Sequence, residues 1–314
     1  MRLLISDLHL EDTPLTEYRW GIFDFLEKVI KTEKIDSIYI LGDLTEKKDN
    51  HSSKLVNRLV DNLSRFDKDI LILKGNHDYF DTPFFKFLSY MDNVHFISEP
   101  TYYGGSGELF IPYSKELDIS AYQNINYLFL HHEFLGAKLQ NGYVLDKGLE
   151  PLTVDYKVYS GHIHQKQKIG DITYIGAPYP IYFGDNDYQG GCFIITNGKY
   201  KFIPYNTIAR WGITISSIGD LETFPFKPKD QVKLRIKLAR HDLHLYDKLV
   251  GGVRAILKKL DVLLVSATLE PIKSTNRTEV TPIKSETTDD IINRFAAQEN
   301  LSEKYILRGK ELVN

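Results

Sequence analysis

Leu3-Leu4-Ile5-Ser6-Asp7-Leu8-His9 opens the chain, and its pattern, a short apolar run followed by a small residue and a carboxylate, returns twice. It returns at Ile38-Tyr39-Ile40-Leu41-Gly42-Asp43, and again at Ile70-Leu71-Ile72-Leu73, where Lys74 leads into Gly75-Asn76-His77-Asp78. Runs of this length, rich in Ile and Leu and bounded by Gly, read as buried strands. Helical periodicity is expected between and after them, over 16–34, 52–66 and 82–91, which is the rhythm of βαβ units. From residue 94 the helices thin out, and strands are predicted at 94–97, 109–112, 127–130, 157–159, 172–175, 192–196 and 201–204. Two facing sheets with helices outside fit that order.

The composition shifts after Ile208. A strand at 213–215 leads to an alternating strand over 232–238, a helix near 243–260 and a strand at 262–267, the pattern of a small second α/β domain. The stretch 273–286 carries Lys, Ser, Thr, Asn and Glu around Pro282 and reads as a polar linker. Two short helices close the chain over 287–314. Thr287 or Thr288 caps the first, Asp289 and Asp290 stand in its opening turn, and Ile291, Ile292 and Phe295 share one side. The expected domains are thus 1–207, 208–272, a linker at 273–286 and a helical element at 287–314.

A length of 314 residues exceeds the usual single-domain size, in keeping with that division. No apolar run approaches the roughly 18 to 20 residues of a membrane span. The first strand begins at Arg2, without room for a signal peptide, so a cytoplasmic protein is expected. The single cysteine, Cys192, has no internal disulfide partner and lies in an apolar run, as core residues do. A formal charge of −3 offers no global argument for a polyanionic partner.

Hard and borderline divalent cations take carboxylate, amide and imidazole ligands, and a catalytic pair needs them to converge from several strand ends. Asp7 and His9 follow the first strand; at alternate positions their side chains are expected to point the same way. Asp43 follows the second strand, and Asn76, His77 and Asp78 the third. His131 ends the run 127–130, and Gly161-His162-Ile163-His164 follows 157–159. Singly, each cluster reads as a surface pair or a turn. Five in this order point to a metal centre.

In these residues the chain resembles the calcineurin-like metallophosphoesterases, whose signature runs D-x-H, G-D, G-N-H-D/E, H and G-H-x-H. The match covers roughly residues 1 to 180. The resemblance implies a metallophosphoesterase four-layer αββα sandwich, with a C-terminal α/β capping domain and a terminal helical pair. It also implies two divalent ions. Asp7, His9 and His164 would hold the first, Asn76, His131 and His162 the second, and Asp43 would bridge them. His131 is preferred to its neighbour His132 because it lies nearer the strand. His77 would face the scissile phosphate as the catalytic residue, with Asp78 holding its ring. Two ions about 4 Å apart lower the pKa of a shared water and neutralise phosphoryl oxygens, so no Ser, Cys or Thr nucleophile is needed.

The segment 175–185, with Gly176-Ala177-Pro178-Tyr179-Pro180, resembles the SbcD-type DNA repair nuclease subunits, and the chain's compactness is similar to their phage-encoded members. That likeness implies a manganese-dependent DNA exonuclease and endonuclease, cytoplasmic (in the host cell if phage-encoded). It implies a partner as well, an SMC-like ATPase gripped by Ile291, Ile292 and Phe295; the same residues could instead fold back on the second domain. A homodimer is a further expectation. The chain departs from the pattern at Leu44-Thr45-Glu46, where relatives carry an aromatic followed by Asp or His.

Across 227–261 there are ten Lys and Arg against four acids, which suits either phosphate contact or a solvated face. Arg235 on that strand, and Lys166 and Lys168 beyond the His-x-His, are candidate DNA contacts. Tyr179, Tyr182 and Phe183 could stack on a splayed base or belong to the core. His51, His95, His241 and His244 match no motif position. The rival readings are a small-molecule phosphodiesterase or phosphoprotein phosphatase, and a catalytically silent scaffold. The complete ligand set and His77 argue against the scaffold.

Overall fold

The computed structural model describes residues 1–78, 85–105, 107–184 and 188–272. The expected linker and the terminal element with Ile291, Ile292 and Phe295 lie outside the described residues. The first sheet contains β1 (Arg2–Ile5), β2 (Ser37–Leu41), β3 (Asp69–Leu73), β4 (Val94–Ile97), β11 (Gly191–Thr196) and β12 (Lys199–Pro204). The second contains β5 (Thr101–Tyr103), β6 (Glu108–Ile111), β7 (Tyr127–Leu130), β8 (Lys157–Ser160), β9 (Gln167–Ile169) and β10 (Ile172–Tyr174). A third, smaller sheet is made of β13 (Arg210–Ile215), β14 (Gln231–Leu238) and β15 (Leu263–Pro271). The fold is therefore mixed α/β with two large sheets and few helices.

The first sheet runs in the order β12-β11-β1-β2-β3-β4, with β1 to β4 mutually parallel and β11 antiparallel to both its neighbours, β1 and β12. The second runs β5-β6-β7-β8-β10-β9, with β6, β7, β8 and β10 parallel. Parallel neighbours bring successive C-terminal ends to one edge of a sheet, and the residues after β1, β2, β3, β7 and β8 are the ones the sequence singles out.

Alternation along each strand builds the layers. On β2, Tyr39 and Leu41 join Leu4, Leu71 and Phe193 against Phe110, Phe129 and Tyr159 of the second sheet, forming the core between the sheets. Ile38 and Ile40 point the other way, to a core shared with helix α1 (Ile22–Glu33) and helix α2 (Ser53–Leu63). Helix α2 buries Leu55, Leu59 and Leu63 at helical spacing, and the Ser52 hydroxyl caps it by accepting the Leu55 amide at 3.0 Å.

The outer face of the second sheet differs from the expected second helical layer. Leu128, Leu130, Val158 and Tyr174 there are covered by Phe134, Ala137, Leu139, Leu145 and Leu149, in a stretch described without a helix. Gly136, Gly142, Gly148 and Pro151 interrupt that stretch and stop helical propagation. Two short edge strands, β5 and β9, are additions to the sequence reading. The helix expected over 16–34 is a 3-10 segment, Pro14–Gly21, followed by α1.

The third sheet buries Val232, Leu234, Ile236 and Leu238 on one face, and helix α3 (Tyr246–Lys259) buries Val253 and Leu257. All but the last residue of the sheet lies in the same compact unit as the two large sheets, Met1–Leu238 with His244–Glu270. Within that unit, Arg210 is buried, reaches the Ile181 carbonyl and bonds Gln231 at 3.1 Å, and Gln231 donates to the Leu15 carbonyl at 2.8 Å. Cys192 is fully buried on β11, and burial pushes its thiol up to about 12. No described helix is long and apolar enough to cross a membrane.

Candidate metal centre

Asp7 and His9 stand just past β1, but strand alternation is not what aims them. Both have left-handed backbones, at φ 55° and 43°, and so do Asp43 at 52° and His162 at 78°. Left-handed non-glycine residues cost on the order of 1 to 3 kcal/mol each and persist only where their surroundings impose them. Here the loops after β1 and β2 hold each other: Asp7 N–H donates to the Gly42 carbonyl at 3.1 Å, His9 N–H to that of Asp43 at 2.9 Å, and Leu10 N–H to that of Leu44 at 3.0 Å. Gly42, at φ 86°, is needed twice over, because a β-carbon there would collide with the His131 ring.

The side chains form two adjoining groups, Asp7 with His9 and His164, and Asp43 with His131 and His162, each with its ligand atoms within 4.8 Å of one another. His9 Nε2 and His164 Nε2 are 3.1 Å apart, and His164 Nε2 lies 3.9 Å from Asp7 Oδ1. In the second group Asn76 Oδ1 lies 2.8 Å from His162 Nδ1 and 3.1 Å from His131 Nε2. Asp43 stands between them, with Oδ2 3.5 Å from His9 Nε2 and Oδ1 3.3 Å from His131 Nε2. The motif residues of both sheets thus meet in one place.

Outer contacts orient the rings. His131 Nδ1 donates to the Leu41 carbonyl at 2.7 Å, turning Nε2 inward, and Glu133 Oε2 sits 3.2 Å from His162 Nε2, leaving Nδ1 inward. His132 faces elsewhere: its Nε2 accepts the Ser114 amide at 3.3 Å, and burial beside His131 and His162 lowers it to about 3.

Glu46, which sequence reasoning left without a role, sits in this shell. Its Oε2 is 3.2 Å from His9 Nδ1, obliquely, and 3.2 Å from Arg19 Nη1. Its carbonyl accepts His77 Nδ1–H at 2.5 Å. That bond corrects the expectation that Asp78 holds the His77 ring. The fully buried Asp78 carboxylate accepts the amides of Leu44 at 2.9 Å, Thr45 at 3.3 Å and Gly75 at 2.9 Å, fastening the loops after β2 and β3 together. A carboxylate five residues past a strand end reaches backbone donors on both loops before it reaches the ring of its own neighbour. The signal for Glu46 was only its place three residues after Asp43.

The electrostatics suit cations. Burial works against charge on His131, but Asp43 prevails and raises it to about 9; Asp43 in turn is held below the carboxylate range by His131 and His9 despite its burial. Glu46 is likewise lowered to about 2 against its burial, by His9 and Arg19, whereas burial drives His164 down to about 4. Asp7 Oδ2 is buried without a hydrogen-bond partner among the described residues. With Nδ1 of His131 spent on a carbonyl, loss of its Nε2 proton to an ion would leave a lone pair directed at the oxygens of Asn76 and Asp43. Such an assembly of acceptors needs cations at its centre, and the donor set of carboxylate, imidazole and amide oxygen fits divalent ions.

A cavity of about 610 Å³ opens above the groups, with His9, Asp43, Asn76, His77, His162 and His164 in its lining and Tyr182 and Phe183 on one wall. Tyr182 is 59% exposed and lies parallel to the His164 ring, whereas Tyr179 is fully buried and is therefore core. Lys166 holds its ammonium over the Phe202 ring, and Lys168 lies on β9; neither lines the cavity. Arg235 is exposed on β14.

A search of curated proteins finds no match to the chain. The family model for calcineurin-like phosphoesterases matches residues 2–166, a span that carries every inward-facing ligand of both groups. Sheets, converging strand ends and the family match agree: this chain belongs to the calcineurin-like phosphoesterases, metal-dependent phosphoester hydrolases.

Proposed function

We propose that the chain is a DNA exonuclease and endonuclease, with manganese as its metal, and that it is the nuclease subunit of an SbcCD-like repair complex. The observation that carries the substrate is the outer face of β14. Lys233, Arg235 and Lys237 project there between buried neighbours, and Lys233 reaches the wall of the cavity, its ammonium 4.5 Å from the centre of the Phe183 ring. The Arg210 guanidinium lies over the same ring at 4.0 Å. Cations spaced along a strand suit a phosphate backbone, and an exposed aromatic at the mouth, Tyr182, suits a base.

In this reading Asp7, His9 and His164 hold one ion, Asn76, His131 and His162 the other, and Asp43 both. The ions would activate water and neutralise the phosphoryl oxygens. Asp43 and the imidazoles fix where the phosphodiester sits. His77, with Nδ1 committed to the Glu46 carbonyl, keeps Nε2 for the phosphate and the leaving oxygen. Buried Asp78 keeps the loops bearing Asp43 and His77 in register. The chain is organised as a nuclease domain over 1–207, a capping domain over 208–272, a linker, and a terminal element over 287–314 that grips an SMC-like ATPase.

The test is cleavage of labelled single- and double-stranded DNA with Mn²⁺, beside a His77→Ser control and EDTA. Degradation lost in both controls is expected. Intact DNA with an aryl phosphodiester still hydrolysed would move the function to small-molecule diesters. Deleting 287–314 is expected to abolish co-purification with the ATPase.

A further inference from the structure

We infer that Glu46 is a positioning residue for one ion of the pair, acting through His9 and not as a ligand. The inference rests on the two-ion reading of the centre and is independent of the substrate. His9, Glu46 and His77 also bring their ligand atoms within 4.8 Å of one another, so Glu46 could be taken for a third ligand set. Two observations decide against that. His9 has one nitrogen on each side: Nε2 faces His164 and Asp43, and Nδ1 faces Glu46, so the ring serves the inner group only while Glu46 stays outside it. The Glu46 oxygen nearest His9, Oε2, also accepts Arg19 Nη1 at 3.2 Å, and a guanidinium on that oxygen repels a divalent ion from it.

Arg19 is 3% exposed and also bonds the His9 carbonyl, so Arg19 and Glu46 together hold the backbone and the ring of one residue. The effect of Glu46 is one-sided. Its carboxylate touches the group of Asp7, His9 and His164, while the rings of the other group are held by the Leu41 carbonyl and by Glu133. Its hold on His77 passes through the backbone carbonyl and survives any change of side chain.

The experiment is Mn²⁺ titration by calorimetry of the full-length protein and its Glu46→Gln and Glu46→Leu variants, each shown folded by a wild-type melting profile without metal. Two ions are expected in all three. One should bind Glu46→Leu about 10 to 100-fold more weakly than wild type, the usual range for losing an outer-shell partner. The other should be unchanged, with Glu46→Gln intermediate because an amide oxygen can keep the place of Oε2 beside His9 Nδ1 without its charge. Both affinities unchanged would show Glu46 idle. Both falling together would show a loop-wide structural effect, and loss of one ion even at saturating Mn²⁺ would make Glu46 a ligand. Each of these three results overturns the inference.

Discussion

The rim where β1, β2, β3, β7 and β8 end and the outer face of β14 both carry charged or ionisable side chains at regular positions, and they use them in opposite ways. At the rim, Asp7, His9 and Asp43 are buried on left-handed backbones, and His131 and His162 are held by outer contacts. On β14, Lys233, Arg235 and Lys237 stand in solvent, and the contacts they show are peripheral, with the Phe183 ring and, at 3.6 Å, Glu270. Reaction chemistry needs groups fixed before the substrate arrives, and a buried, strained cluster supplies that at a cost in stability which bound cations offset. If the proposed substrate is right, tracking a polymer needs only charge at roughly the right pitch, and solvated side chains would provide it without strain.

Changes at the rim should therefore be severe and independent of substrate. Asp43→Asn removes the carboxylate shared by the two groups; hydrolysis of any phosphodiester should fall about a thousandfold or more, with fewer than two Mn²⁺ ions bound per chain. His77→Ala should lower kcat by about 100 to 10,000-fold while two ions stay bound, which separates the ligands from the group facing the leaving oxygen. If His77→Ala lost an ion, the division of roles at the rim would be wrong.

On β14 the expected effect is smaller and depends on the substrate. Replacing Lys233, Arg235 and Lys237 by alanine should raise KM for DNA by roughly 10 to 100-fold at low salt and reduce the salt dependence of binding by about one unit of slope for each phosphate left unpaired. An aryl phosphodiester should be hydrolysed as before. Equal loss on both substrates would break the comparison. The gentlest probe is pH. Without ions His131 is raised to about 9 by Asp43, so a proton occupies the position an ion must take. Metal affinity should accordingly rise with pH between 6 and 9, by up to about tenfold per unit for each proton displaced, with proton release visible as a buffer-dependent heat of binding.

Much of this is legible in the chain. Strands 94–97 and 127–130 can be read with their true ends, because Ile, Val, Leu and aromatic runs bounded by polar residues leave few alternatives. Three-residue edge strands such as β5 and β9 escape such a reading although each pairs in a hairpin with the strand that follows it, because three residues are too few to show an apolar run or an alternation. The cover on the second sheet escapes it as well, because leucines between glycines show that a segment packs without showing what shape it takes.

By itself the sequence determined the ligand inventory and its order. Carboxylate, amide and imidazole stand after successive strands, and parallel pairing of short buried strands leaves those positions one edge to share. Only the tertiary structure decided how the inventory is held. Asp7 and His9 are aimed by loop-to-loop hydrogen bonds and not by strand alternation. Asp78 fastens loops while the Glu46 carbonyl holds His77, Tyr179 is core while Tyr182 is exposed at the cavity, and Lys166 turns to Phe202. The physical reason is range: hydrophobic period and residue type act over a few positions, whereas the partner of a buried polar atom is chosen by whatever distant segment the fold brings within about 3 Å of it.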